Sequence, residues 1–189
     1  MPKDRRLARI EAQGFDQVII TYCAASIAMW EDLGWRKKRI LGVLKETADA
    51  WQECAGSDKS MIQMLDEETG VELQIGNGKS WKELGYLNGE VYADMCRNMT
   101  QKKALYVQAR QLQWIPAQVM ACMFLGLHRK QGFGAERLER LYGQMEDVKA
   151  AHRGKRKALQ KHCMELTGID IGKHASGDIF VEEEESKVV

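Results

Sequence analysis

Leu33-Gly34-Trp35-Arg36-Lys37-Lys38-Arg39 decides the fold, because a version of this stretch recurs 98 residues later. At that shift Gly34-Trp35 aligns with Gly132-Phe133, and Arg39-Ile40 aligns with Arg137-Leu138 without a gap. The same shift aligns Thr69-Gly70-Val71-Glu72-Leu73 with Thr167-Gly168-Ile169-Asp170-Ile171. We interpret the match as an internal duplication of a unit of roughly 50 residues, a length typical of helical repeats.

Length and composition indicate one domain, or two small halves that share a core. The chain has 189 residues, of which 44% are hydrophobic, and only 2 are proline. Helices joined by glycine stops fit this composition better than a β-sandwich with its many turns. The predicted class is therefore all-α, with at most a tiny two-stranded β element.

Each unit is predicted to contain a helix, a glycine turn, a second helix, a short helix and a short extended piece. In the first unit, Asp4 is expected to cap a short basic helix that ends at Gly14, and Asp16 to cap an apolar helix that follows. The second helix, over about residues 36–54, has an apolar stripe at helical spacing, formed by Ile40, Val43, Leu44, Thr47 and Trp51. The extended pieces, residues 71–73 and 169–171, are predicted to pair as a small ribbon.

These elements divide the chain into four parts. The first unit with its N-terminal helix covers residues 1–77, and connecting helices cover 78–115. The second unit covers 116–172, with Pro116 in the first turn of its first helix. Residues 173–189 are predicted to form a disordered acidic tail, because the four consecutive glutamates at 182–185 repel each other.

Charge and cysteine usage indicate a cytoplasmic protein that does not cross a membrane. The net charge of +1 gives no global attraction to nucleic acid or lipid, so any such contact must be local. The start of the chain lacks a signal-peptide core, and the longest apolar run is far shorter than the roughly 20 residues of a membrane span. The 5 cysteines are scattered and odd in number, as expected in a reducing compartment.

No catalytic residue, metal site or cofactor is predicted. Gly78-Lys79-Ser80 follows an extended run, but a phosphate-binding loop needs a glycine at position 73, which is leucine. His162 and Cys163 are neighbours and point about 100° apart on a helix, so they cannot bind one metal together. The acidic run Asp66-Glu67-Glu68 resembles a pair of catalytic carboxylates, although most such runs form a solvated helix face.

Basic residues are the stronger functional signal. Arg36, Lys37, Lys38 and Arg39 open the second helix, where the helix dipole disfavours cations, so a role outside helix formation is expected. Two helices that meet at a glycine, with cations opening the second, resemble a helix-turn-helix. The second unit has Gly134-Ala135-Glu136 at the matching positions, which favours the alternative of a solvated or protein-facing surface. The predicted binding residues are Arg36, Lys37, Lys38, Arg39, Arg137 and Arg140.

Two of these arginines recur between the units. Arg39 and Arg137 occupy matching positions, and each is expected to extend along apolar surface or to pair with a carboxylate on a neighbouring helix. Trp35 and Phe133 are expected to hold the helices of each unit together. If they are exposed, they become anchors for a protein partner.

The second unit resembles a known motif. Gly-Phe-Gly-x-x-Arg-Leu at 132–138, with Glu-x-Thr-Gly-Ile at 165–169, is similar to a unit common in small proteins of phages and mobile elements of Gram-positive gut bacteria. The first unit is looser, with Gly34-Trp35-Arg36 in place of Gly-Phe-Gly, while Glu67-Glu68-Thr69-Gly70-Val71 is close. The resemblance implies a viral accessory protein inside a bacterial host and carries over no catalytic residue.

We therefore expect a non-enzymatic phage accessory protein that binds and inhibits a host macromolecule, in its concrete form an anti-CRISPR inhibitor of an effector nuclease. The expected partner is a host protein or ribonucleoprotein, with nucleic-acid contact through the basic residues. Two alternatives stay open. One is a helix-turn-helix-like DNA-binding protein, and the other is a nuclease that holds a divalent metal with Asp66, Glu67 or Glu68.

Overall fold

The computed structural model describes residues 5–55, 60–74 and 114–174. No strand occurs in these ranges, and the all-α class is confirmed for them. The described residues form seven helices: α1 (Arg5–Glu31), α2 (Lys37–Ala55), α3 (Met61–Thr69), α4 (Ile115–Gln131), α5 (Ala135–Ala151), α6 (Arg156–Thr167) and α7 (Ile171–His174). The acidic run at 182–185, the Gly78-Lys79-Ser80 turn and most of the predicted connecting segment lie outside the described residues.

The first helix is longer than predicted. α1 runs unbroken through Gly14 for 27 residues, so the predicted stop at Gly14 and the cap at Asp16 are wrong. A glycine inside a helix costs only about 1 kcal/mol, which packing against the rest of the protein can offset. Gly14 is buried, and the Asp16 carboxylate accepts a hydrogen bond from Arg156 of α6 at 2.5 Å instead of capping its own helix.

The predicted ribbon is also wrong. Residues 71–74 have no regular secondary structure, and Ile171 begins the one-turn helix α7. Val71 and Leu73 are nevertheless buried while their neighbours Glu72 and Gln74 are exposed. The alternation therefore reflects side chains that insert one by one into the core, without a partner strand.

The buried stripe of α2 differs from the prediction at one end. Ile40, Val43, Leu44 and Thr47 are buried as predicted, whereas Trp51 is 38% exposed. Ala50 is buried instead. Val43, Thr47 and Ala50 follow the three- and four-residue spacing of a buried helix face, and Trp51 lies at the edge of that face.

The two glycine turns have the same local geometry. Gly34 has φ +64° and Gly132 has φ +66°, a left-handed conformation that glycine adopts without a steric penalty. The next residue in each turn donates its backbone N–H to an equivalent carbonyl: Trp35 to Met29 at 3.1 Å, and Phe133 to Leu127 at 3.2 Å. The ungapped shift of 98 therefore aligns residues that also share backbone geometry.

The ends of the third helices match as well. Gly70 and Gly168 end α3 and α6 with φ +75° and +70°. Thr69 Oγ1 donates to the carbonyl of Leu65 and accepts the N–H of Val71, at 2.7 and 3.2 Å. Thr167 Oγ1 makes the equivalent bonds within its own segment, at 2.7 and 3.1 Å.

This threonine geometry gives a matched stability prediction. Thr167→Val removes the acceptor of the buried Ile169 N–H and is expected to cost about 1–2 kcal/mol, the usual cost of an unsatisfied buried donor. Thr69→Val should cost a similar amount, as measured by urea unfolding. Thr47→Val is the control, because Thr47 Oγ1 donates only to the Val43 carbonyl of its own helix and should be near neutral. A clear loss for one of the two matched variants with none for the other would contradict their equivalence.

The two units interlock. α1 packs mainly against α5 and α6 of the second unit and only slightly against α2. In the same way α4 packs mainly against α2 and α3 of the first unit. The buried residues of both units form one hydrophobic cluster. The units therefore pack within one chain, and each supplies a long helix to the core of the other.

Candidate interaction surface at the unit junction

The glycine turns of the two units meet. The rings of Trp35 and Phe133 lie 5.8 Å apart between centroids in an edge-to-face arrangement with an interplanar angle of 63°. A contact between matching residues is what an internal duplication with two-fold related units predicts. The two side chains are 6% and 1% exposed. Trp35 and Phe133 are therefore too buried to anchor a protein partner. Instead, their rings join one unit to the other.

An arginine covers each ring. The guanidinium carbon of Arg39 lies 4.0 Å from the Trp35 ring centroid, and that of Arg137 lies 4.0 Å from the Phe133 centroid. Arg39 also donates to Gln131 Oε1 at 3.2 Å. Such cation–π contacts contribute about 0.5–1 kcal/mol at exposed sites. Because the rings touch, both recurring arginines are brought to the same junction.

The start of α2 presents cations to solvent, with Arg36 directly before the helix and Lys37 and Lys38 as its first two residues. Arg36, Lys37 and Lys38 are exposed, and they make no ion pair with any described residue. Arg36 lies over the half-buried Trp30 ring, 4.5 Å from its centroid. The first turn of α2 contains no acidic residue to interact favourably with the positive end of the helix dipole. Because cations are unfavourable at this end, these residues do not stabilise their own helix.

Arg140 differs from the other predicted cations. Its Nε and a terminal nitrogen both donate to Asp32 Oδ2, at 3.0 and 2.8 Å. Asp32 follows the end of α1, so this pair links α5 of one unit to the turn of the other. The contacts of Trp35 with Phe133 and of Arg140 with Asp32 bring the start of α5 close to the start of α2. We call the six predicted binding residues near these two helix starts the junction surface: Arg36, Lys37, Lys38, Arg39, Arg137 and Arg140. Five of them have no carboxylate partner among the described residues.

A second basic cluster is tied up in ion pairs. Arg129 donates to both carboxylate oxygens of Glu68, at 3.0 and 2.5 Å, and Lys130 lies 4.0 Å from Asp49. The hydrogen bond from Arg129 holds the pKa of Glu68 below its usual value. These contacts join α4 to α3 and α2, so they serve the interlocked packing.

The same contacts bear on the nuclease alternative. Glu68, one of its three carboxylates, is occupied by Arg129, and Glu67 accepts a hydrogen bond from Gln63 at 2.9 Å. Within the described ranges, no three side chains of His, Cys, Asp or Glu are placed to hold a metal ion. No observation on these residues favours metal chemistry.

Sequence reasoning missed a contact between two histidines. His152 at the end of α5 and His162 on α6 have ring centroids 4.9 Å apart, with Nε2 and Nδ1 at 3.0 Å. His152 Nδ1 lies 2.9 Å from the Val148 carbonyl, which can only accept. That nitrogen therefore donates to the carbonyl, and Nε2 of His152 faces Nδ1 of His162. The tight turn between the helices, where Arg153 has φ +51°, brings the rings together and leaves no signal in the spacing.

Two further observations bound the function. None of the described helices combines the length and the apolar character that a bilayer span needs. Comparisons of this chain with protein-family models, with curated proteins and with solved structures find no match. The likeness to phage accessory proteins therefore rests on the two sequence motifs.

Proposed function

We propose that this protein is a non-enzymatic phage accessory protein that binds a host nucleoprotein through the junction surface and blocks its action. In its concrete form it is an anti-CRISPR inhibitor of an effector nuclease in the cytoplasm of a Gram-positive host. The observation that supports the proposal is the convergence of cations from both units on one exposed surface. Arg153, Lys155 and Lys157, around the start of α6, are also exposed and without an ion pair in the described ranges, but all three belong to one unit.

The chemistry of the surface supports a polyanionic target. Guanidinium groups held over aromatic rings lose less conformational entropy on binding than free side chains, and Arg36 and Arg137 are both exposed. Lys37 and Lys38 add two mobile point charges. Because the net charge of the chain is only +1, the protein has little long-range attraction for polyanions, and binding depends on local clusters of cations.

A cleavage assay tests this proposal. A purified effector nuclease with its guide RNA cleaves a target in the presence of rising concentrations of the protein, and cleavage should stop at saturation. The variant R36Q/K37Q/K38Q/R39Q should require roughly tenfold more protein for the same inhibition, because it removes four phosphate-directed charges. Lys157→Gln, an exposed cation on α6, is the matched control and should inhibit like the parent protein. Full cleavage at saturating parent protein would remove the proposal.

One observation favours a second candidate, a helix-turn-helix-like DNA-binding protein. The exposed cations stand in the first turn of the helix that follows a glycine turn, where a recognition helix meets DNA. Duplex affinity should then fall with salt, with a slope of about 0.9 per phosphate contact. The same four-residue variant should lower that slope by up to about 3.6 units, and an unchanged slope would exclude this surface as the DNA contact.

A further inference from the structure

The scaffold at the junction is pseudo-symmetric, but its charge is not. Positions 36–39 of the first unit are Arg, Lys, Lys and Arg, while the matching positions 134–137 are Gly, Ala, Glu and Arg. A two-fold protein that centres on the dyad of a duplex presents the same contacts to both half-sites. Here the first unit supplies four adjacent cations and the matching positions of the second unit supply only Arg137, so we expect the ligand to lie mainly over the start of α2.

Arg36 offers a flat platform on that side. Its guanidinium lies over the Trp30 ring at 4.5 Å, is exposed, and has no ion pair within the described ranges. The indole supports the guanidinium, and the exposure of the Arg36 side chain leaves it accessible to a ligand. Bases that are free of a duplex stack on arginine planes of this kind. Paired bases inside a duplex do not expose their faces, so they cannot stack on Arg36.

The two lysines that follow suit the phosphates of the same strand. Lys37 lies along the end of α6, with its Cδ 3.9 Å from the position a Cβ would take at Gly168. Its stem therefore rests on the protein while its ammonium group stays accessible. Lys38 is exposed beside it. The planar guanidinium of Arg36 suits a base, and the ammonium groups of Lys37 and Lys38 suit the phosphates next to that base.

We propose that the first turn of α2 binds single-stranded nucleic acid, with a base stacked on Arg36 and neighbouring phosphates on Lys37 and Lys38. This inference rests on the proposed function, since the strand would be the exposed nucleic-acid part of the host nucleoprotein. It adds that the contact is made to the strand itself, in one orientation.

Fluorescence polarisation with a labelled oligonucleotide of about 12 nucleotides tests the site directly, since such strands match the known range of single-strand sites. The parent protein should bind the single strand at least tenfold more tightly than the same sequence as a duplex. Arg36→Lys keeps the charge and removes the plane, so affinity should fall about fivefold or more with an unchanged salt slope. K37Q/K38Q should lower the slope by about 1.4 units, the value for two single-strand phosphate contacts.

The control and the contrary outcomes separate this inference from the proposed function. Lys157→Gln should bind like the parent protein, and circular dichroism verifies that every variant is folded. Equal or tighter duplex binding, or an Arg36→Lys variant with parent affinity, would overturn the single-strand site. If oligonucleotide binding is absent while charge-dependent inhibition of the nuclease persists, the target contact is a protein surface and the proposed function stands without this inference. If the oligonucleotide results hold while the nuclease cleaves fully, the site stands and the inhibitor function fails.

Discussion

Replacing Phe133 by alanine is expected to lower the free energy of unfolding by about 3–5 kcal/mol, the cost of deleting a fully buried phenyl ring. Phe133 is 1% exposed and touches Trp35 where the two units meet. Removing its ring leaves a cavity where the two units meet and takes away the support of Arg137. Urea unfolding monitored by circular dichroism measures the loss.

A double-mutant cycle makes this expectation specific to the junction. Trp35→Ala should also cost about 3–5 kcal/mol, and the two losses should couple by roughly 0.5–1.5 kcal/mol, as measured for aromatic pairs. Phe15→Ala is the matched control, because Phe15 is 40% exposed on α1, and its loss should be much smaller. A Phe133→Ala variant no less stable than Phe15→Ala would show that the rings are not buried against each other.

Separating the two units is expected to unfold both. Residues 119–127 of α4 are all buried, so this helix needs cover on every side, and α2 and α3 of the other unit provide part of it. α1 depends on α5 and α6 in the same way. Fragments 1–77 and 78–189, each made alone, should therefore lack a cooperative thermal transition. Mixed in equal amounts, they should recover helical signal, with a midpoint that rises with concentration.

The uncut chain is the control for this experiment, since its midpoint should not depend on concentration. Analytical ultracentrifugation of the mixture should show one species with the combined mass of the two fragments. Cooperative folding of either fragment as a monomer would contradict the interlocked arrangement, because a unit with its own core would not need the helix of its partner.

Several features of the fold could be predicted because they depend on local chemistry. The glycines at 34, 70, 132 and 168 end or turn helices in the left-handed conformation, which few other residues adopt cheaply. Pro116 lies in the first turn of α4, where its missing N–H costs nothing. Gly14 is also a glycine, but it does not end its helix, because packing along α1 outweighs the small cost of a glycine inside a helix.

The interlocked packing could not be predicted. Periodicity shows which face of a helix is apolar, but it does not show which helix covers that face. For this reason Trp35 and Phe133 were expected to act within their own units, whereas they meet each other. The ion pair between Arg156 and Asp16 joins residues 140 positions apart, beyond the reach of any spacing rule.

The six cations of the junction surface could be picked out in the sequence, but their proximity could not, and their role in binding stays a prediction. Trp35 and Arg39, like Phe133 and Arg137, stand four positions apart, although each aromatic residue lies two positions before its helix begins. That spacing could have indicated the stacking of arginine on the ring. Arg39 and Arg137 were predicted either to extend along apolar surface or to pair with a carboxylate, and in the structure they lie over aromatic rings. The pairing of Arg140 with Asp32, by contrast, requires knowledge of how the units pack.

The most direct test of the interlocked duplication is a nuclear Overhauser measurement between the ring protons of Trp35 and Phe133 in the intact protein. Rings 5.8 Å apart between centroids have edge protons close enough to give strong cross-peaks, and we expect to observe them. Cross-peaks from Trp35 that lead only to residues of the first unit would contradict the shared junction.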